Sequence, residues 1–201
     1  MKNIVAGLVL VMGFSGMAQA EGDATAGQQK SAVCAGCHGV DGNSVVPTFP
    51  KLAGQGEKYL VKQMSDIKNG DRPVPEMTGL LDNLTDQDFQ DLAAYFASKK
   101  TTTGQAKADL VAKGQALYRA GNMATGAAAC TACHGPSGQG NGPAAFPALS
   151  GQQTAYVVTQ LKKFRSGERT NDGDASMMRD IAAKLSDSEI EAVASYISGL
   201  H

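Results

Sequence analysis

Cys34-Ala35-Gly36-Cys37-His38 and Cys130-Thr131-Ala132-Cys133-His134 are two copies of one five-residue pattern, and the rest of the chain is read outward from them. Together they use all 4 cysteines and two of the 3 histidines in 201 residues. Two thiols one short turn apart can add to the two vinyl groups of a single porphyrin, and the histidine that follows is then carried under the iron. The pattern therefore predicts two covalently bound haem c groups. Cys34, Cys37, Cys130 and Cys133 would form the thioethers, and His38 and His134 would be the proximal iron ligands. A thioredoxin-like pair, a disulfide or half of a zinc site also uses Cys-x-x-Cys, but none of them needs a histidine directly after it. A four-thiolate zinc ribbon spaces its pairs about 15–20 residues apart, whereas Cys34 and Cys130 are 96 positions apart.

The spacing of the two patterns belongs to a longer internal repeat. Phe49-Pro50-Lys51-Leu52-Ala53-Gly54-Gln55 recurs as Phe146-Pro147-Ala148-Leu149-Ser150-Gly151-Gln152, and Tyr59, Gln63 and Gly70 recur as Tyr156, Gln160 and Gly167, all at an offset of 97. Leu84-Thr85-Asp86 and Tyr95 recur as Leu185-Ser186-Asp187 and Tyr196 at an offset of 101. The expected organisation is an N-terminal domain over residues 21–100, a polar linker over 101–108 and a C-terminal domain over 109–201. Aromatic residues are only 5% of the chain and tryptophan is absent, so a buried porphyrin would supply apolar surface that each small half otherwise lacks.

Helical periodicity recurs at the same offsets. Thr85 looks like an N-cap with Asp88 three residues on, ahead of Phe89, Leu92, Ala93 and Phe96. Ser186 with Glu189 forms a fuller capping box, ahead of Ile190, Val193, Ala194 and Ile197. Further helices are expected near 58–69 and 154–166, stopped by Gly70 and Gly167, and near 24–33 and 110–120 before each haem pattern. No segment alternates as a strand does, so the fold class is all-α.

The second axial ligand decides what such an iron does. One protein ligand leaves a face open to gases or peroxide, and two make an electron carrier. Met77 follows the irregular Pro73-Val74-Pro75-Glu76 and stands seven residues before Leu84. Met178 stands seven before Leu185, so the repeat selects it over Met177. Met64 lies on a helical stripe and reads as core, Met123 falls in an insertion without a counterpart, and His201 is terminal and unmatched. The axial pairs are thus expected to be His38 with Met77 and His134 with Met178. The opposing expectation, a diheme peroxidase-like enzyme, needs an open iron face that these methionines would close.

Met1-Lys2-Asn3, the apolar Ile4 to Met12 and Ala18-Gln19-Ala20 form a secretory signal expected to be cleaved after Ala20. Residues 21–103 carry 8 basic and 11 acidic side chains and residues 104–201 carry 9 and 8, for net charges of −3 and +1. That balance, without aromatic–basic interleaving, gives no support to nucleic-acid binding. Lys162, Lys163, Arg165 and Arg169 cluster in sequence and could face an acidic partner or a propionate.

With the two haem patterns, the two Phe-Pro-x-Leu segments, Thr170-Asn171-Asp172-Gly173-Asp174 and the ending Ser195 to His201, the chain resembles the diheme cytochromes c of the cytochrome c4 family. The resemblance implies two class I cytochrome c domains with haem edges facing, in a monomer of the bacterial periplasm, in some members associated with the membrane. It implies single-electron transfer between respiratory complexes and a terminal oxidase, through redox protein partners, and leaves open a haem subunit of a larger redox enzyme. It also implies that the carbonyls of Pro50 and Pro147 accept a hydrogen bond from the proximal histidines.

Overall fold

A computed structural model describes residues 21–201, and the signal expected over residues 1–20 lies outside the described residues. The first half contains α1 (Ala24–Lys30), a 3-10 turn at Ser31–Val33, α2 (Ala35–His38), α3 (Glu57–Asn69), a 3-10 turn at Pro75–Met77 and α4 (Asp86–Ala97). The second half contains α5 (Ala108–Ala120), α6 (Thr131–His134), α7 (Thr154–Ser166), α8 (Met177–Ala182) and α9 (Asp187–Gly199). Among the described residues the only extended pairings are two isolated bridges, Asn122 with Ala127 and Asn141 with Phe146. The chain is all-α, as its periodicity predicts, with α8 as a helix that the irregular methionine segment did not announce.

Local chemistry starts and stops these helices. Thr85 Oγ1 accepts from Asp88 N–H at 3.2 Å while the Asp88 carboxylate accepts from Thr85 N–H at 2.7 Å. Ser186 and Glu189 make the same reciprocal pair at 3.3 and 2.8 Å. Both capping boxes are therefore complete, each worth about 1 kcal/mol. α3 and α7 end on Gly70 and Gly167, whose φ angles of 84° and 79° lie in the left-handed region that an L side chain resists.

Each half packs its first and last long helices across one another, with the penultimate long helix against the last. In the first half Leu60, Leu92, Ala93, Tyr95 and Phe96 form the core. In the second, Leu117, Tyr118, Val157, Ile190, Val193, Tyr196 and Ile197 do so. The crossings are close because a glycine sits at each contact point. A Cβ on Gly27 would lie 2.0 Å from the Asp91 carbonyl oxygen, and one on Gly114 would lie 2.3 Å from that of Ala192. Cys34 and Cys130 pack against the two cores, so these crossings carry the haem patterns.

The connecting segment, expected to be an unpatterned linker, is tied to both halves. Thr101 Oγ1 donates to the Ala53 carbonyl, Thr102 N–H to Asn43 Oδ1 at 2.8 Å, and Lys107 N–H to Ser195 Oγ at 2.9 Å. No helix among the described residues is long and apolar enough to cross a membrane.

Candidate haem sites

Both Cys-x-x-Cys-His patterns fold as single helical turns. His38 N–H donates to Cys34 O at 2.9 Å and Cys37 N–H to the same oxygen at 3.2 Å. In the second copy the distances are 3.0 and 3.3 Å, to Cys130 O. One turn thus brings two thiols and an imidazole together, and all four cysteines are unpaired.

Each imidazole is buried, with 7% of its surface exposed, and has one fixed partner. His38 Nδ1 lies 2.9 Å from the Pro50 carbonyl oxygen and His134 Nδ1 lies 2.9 Å from that of Pro147. A carbonyl only accepts, so Nδ1 carries the proton and Nε2 keeps its lone pair for a metal. Burial lowers both histidine pKa values, against the opposing pull of the carbonyl bonds, and so favours the neutral, ligating form. Burial also pushes the Cys34 thiol up and the Cys130 thiol up to about 11, the reverse of an activated redox thiolate. A neutral, oriented imidazole beside two unpaired thiols fits a c-type haem at both sites.

Met77 ends the 3-10 turn Pro75–Met77 and is half-buried. Met178 lies in the first turn of α8 and is also half-buried, whereas Met177 is 43% exposed. The start of α8 is held by Asp172. Its carboxylate accepts from Arg179 N–H at 2.9 Å and from Arg179 Nε–H at 2.7 Å. Asp172 belongs to the 170–174 run, which thereby positions the segment bearing Met178.

The basic cluster at and beyond the end of α7 does not act as a unit. Lys162 and Arg165 pair with Asp187, while Arg169 turns into the contact between the halves and is 6% exposed. His201 is exposed at the chain end, with Nδ1 2.9 Å from the Gly199 carbonyl oxygen.

The contact between the halves is polar, buried and reciprocal, as across a two-fold axis. Arg72 donates to Gln63 Oε1 at 2.9 Å in its own half, and to Tyr156 Oη at 3.0 Å and Gln160 Oε1 at 3.3 Å in the other. Arg169 mirrors it, donating to Gln160 Oε1 at 2.8 Å, Tyr59 Oη at 3.2 Å and Gln63 Oε1 at 3.0 Å. Burial alone would raise the Tyr59 hydroxyl's pKa, but the Arg169 and Arg72 guanidiniums beside it outweigh that and lower it. Gln55 and Gln152 cross the same contact. Gln55 Nε2 donates to Ala148 O at 3.0 Å and Gln55 Oε1 accepts from Ala148 N–H at 2.8 Å. Gln152 Nε2 donates to Lys51 O at 2.9 Å and Gln152 Oε1 accepts from Lys51 N–H at 2.9 Å. The sequence suggested an acidic partner or a propionate for Arg169, which instead meets Gln160, Tyr59 and Gln63, and it assigned the other residues of this contact no role. The available signal was that Tyr59, Gln63, Arg72 and Gln55 all recur at the offset of 97, which is unusual for polar residues that merely face water.

A model of the family described as Cytochrome c matches residues 24–100 and again residues 111–201. The cytochrome c4 of Pseudomonas aeruginosa is 59% identical over 201 residues, covering 100% of both chains. The crystal structure of reduced recombinant cytochrome c4 from Pseudomonas stutzeri is similar with a TM-score of 0.88 and 57% identity, covering 90% of this chain and 100% of that one. A protein of Stutzerimonas stutzeri (strain A1501) named thiosulfate dehydrogenase electron acceptor is 36% identical over 172 residues, covering 83% of this chain and 78% of its own length.

Proposed function

Because the chain belongs to the cytochrome c family and is a diheme electron-transfer cytochrome with one haem c attached in each half, we propose that it relays single electrons between redox proteins of the periplasm through two irons, each held between a histidine and a methionine. Each haem, when bound, supplies an iron that alternates between its ferrous and ferric states. His38 and His134 give the proximal nitrogen, turned and held by the Pro50 and Pro147 carbonyls. Cys34, Cys37, Cys130 and Cys133 give the thioethers. Met77 and Met178 would give the second iron ligand, a soft thioether that would favour the ferrous state and raise the potential relative to a second histidine. The working unit is a monomer of two domains, residues 21–100 and 109–201, joined by 101–108 and exported with cleavage after Ala20.

The observation that carries this reading is that each proximal imidazole is held by one backbone carbonyl in a buried setting, identically in both halves. Such a ligand need not move when the iron changes charge, which suits electron transfer. The choice of Met178 is supported by its register with Met77 and by the greater exposure of Met177. Terminal oxidases and other respiratory complexes are the expected partners. The likeness to a thiosulfate dehydrogenase electron acceptor supports a second reading, in which the electron donor is a dehydrogenase that the chain docks with.

An absorption spectrum with a ligand challenge tests the axial pairs. The native protein should show the near-infrared sulfur–iron band and resist cyanide and carbon monoxide at short times. Met77→Ala and Met178→Ala should each open one iron to carbon monoxide, while Met177→Ala should not. Loss of the sulfur band in Met177→Ala but not in Met178→Ala would reverse the assignment, and rapid carbon monoxide binding by the native protein would favour an enzyme.

A further inference from the structure

The two crossing glutamines end on the peptide groups that hold the proximal histidines. The Pro50–Lys51 peptide accepts from His38 Nδ1–H at 2.9 Å through its carbonyl and donates to Gln152 Oε1 at 2.9 Å through its N–H. The Pro147–Ala148 peptide accepts from His134 Nδ1–H at 2.9 Å and donates to Gln55 Oε1 at 2.8 Å. Each imidazole is thus joined, through one planar amide, to a side chain of the opposite half.

We propose that Gln152 and Gln55 are positioning residues that set the reduction potential of the haem in the opposite half, by polarising the peptide that holds its proximal histidine. Electron delocalisation across an amide couples its two ends. A bond accepted from the N–H makes the carbonyl oxygen more negative, a cooperative strengthening of about 10–30% per bond. A stronger carbonyl acceptor draws the Nδ1 proton further, makes the ring more basic and stabilises ferric iron. The glutamine orientations are fixed. Each Oε1 accepts a second bond, from Gln153 N–H at 2.9 Å or Gly56 N–H at 2.9 Å, and each Nε2 donates to the carbonyl of Lys51 or Ala148. Gln55 and Gln152 are each only 6% exposed, so water does not replace them. The side chains at the receiving positions differ, Lys51 against Ala148, while the backbone bond is the same in both. The coupling therefore runs through the peptide rather than through the side chain.

The proposal rests on His38 and His134 being iron ligands, and its test separates the two. In the full diheme chain, Gln152→Met should shift the reduction equilibrium of the His38 haem towards ferrous by about threefold, or near 30 mV at 59 mV per tenfold for one electron. The His134 haem should move by less than half as much. Gln55→Met should do the reverse. In the reduced protein, the Nδ1–H proton resonance of the opposite histidine should move upfield as its bond weakens. Gln152→Glu, which keeps an acceptor oxygen, should return the His38 haem to the native potential or below. Shifts confined to the variant's own half, or equal shifts of both haems, would overturn the proposal. A ring proton of His38 or His134 without paramagnetic displacement in the oxidised protein would instead overturn the ligand assignment.

Discussion

Gly114→Ala should cost the second half far more than a methyl group suggests. The added Cβ would lie 2.3 Å from the Ala192 carbonyl oxygen and 2.6 Å from Tyr196 Cβ. An ordinary contact there needs at least 3.4 Å, so α5 and α9 must part by about 1 Å. A gap of ~0.5–1 Å forfeits a quarter to a half of the dispersion energy across it. Leu117, Tyr118, Ile190, Val193, Tyr196 and Ile197 are all buried in this core, and burial of each is worth about 2 kcal/mol. The loss is then about 3–6 kcal/mol, offset by ~1 kcal/mol because alanine favours a helix over glycine. A net loss of about 2–5 kcal/mol should lower the melting temperature of this half by at least ~8 °C. Far-ultraviolet circular dichroism of the haem-loaded protein reads it directly. Gly142→Ala, where nothing lies within 4 Å of the built Cβ, should stay within about 0.5 kcal/mol of native. A Gly114→Ala protein that melts at or above the native temperature would refute the close-crossing argument.

Other consequences follow from the polar contacts. Arg72→Leu leaves the Tyr156 hydroxyl without its donor across the contact, while Gln160 Oε1 keeps its bond from Arg169, and should cost about 1–3 kcal/mol. In denaturant it should split unfolding into two transitions, one per half, where the native chain shows them closer together. Asp91 accepts from Lys30 Nζ at 2.6 Å, from Asp23 N–H at 3.0 Å and from Gln87 Nε2 at 2.9 Å. The Lys30 bond first, then those from Asp23 and Gln87, lower its carboxyl pKa below the ordinary carboxylate value. Its stabilisation is therefore present above about pH 4 and disappears as pH falls through that value towards the folded one. Asp91→Asn should cost ~1–2 kcal/mol at pH 7, and the difference from native should shrink below pH 4 in chemical denaturation. A difference that does not change with pH would refute the ionised state of Asp91.

The haem chemistry was readable from the chain because it is local. Five consecutive residues bring Cys34, Cys37 and His38 onto one turn, and the same turn recurs at Cys130, Cys133 and His134. The capping boxes at Thr85 and Ser186 and the stops at Gly70 and Gly167 were readable for the same reason, since each involves neighbours within four residues. The repeat added long-range information by pairing Met77 with Met178. The close approaches at Gly27 and Gly114 were not readable, because a glycine inside a helical stripe does not say which carbonyl it faces.

The contact between the halves lies furthest from what local patterns reveal. Nothing beside Gln55 in sequence marks the Ala148 N–H as its partner, 93 positions away. Lys51 and Gln152 meet at a separation of 101. Covalent chemistry and helix periodicity act over a few residues and are written into the order of the chain. The burial of Arg72 and Arg169, and the placing of each glutamine against the peptide that holds the other half's buried histidine, arise only when two folded surfaces exclude water between them. Unpaired polar groups then become costly, and each must find its partner wherever the fold has put it.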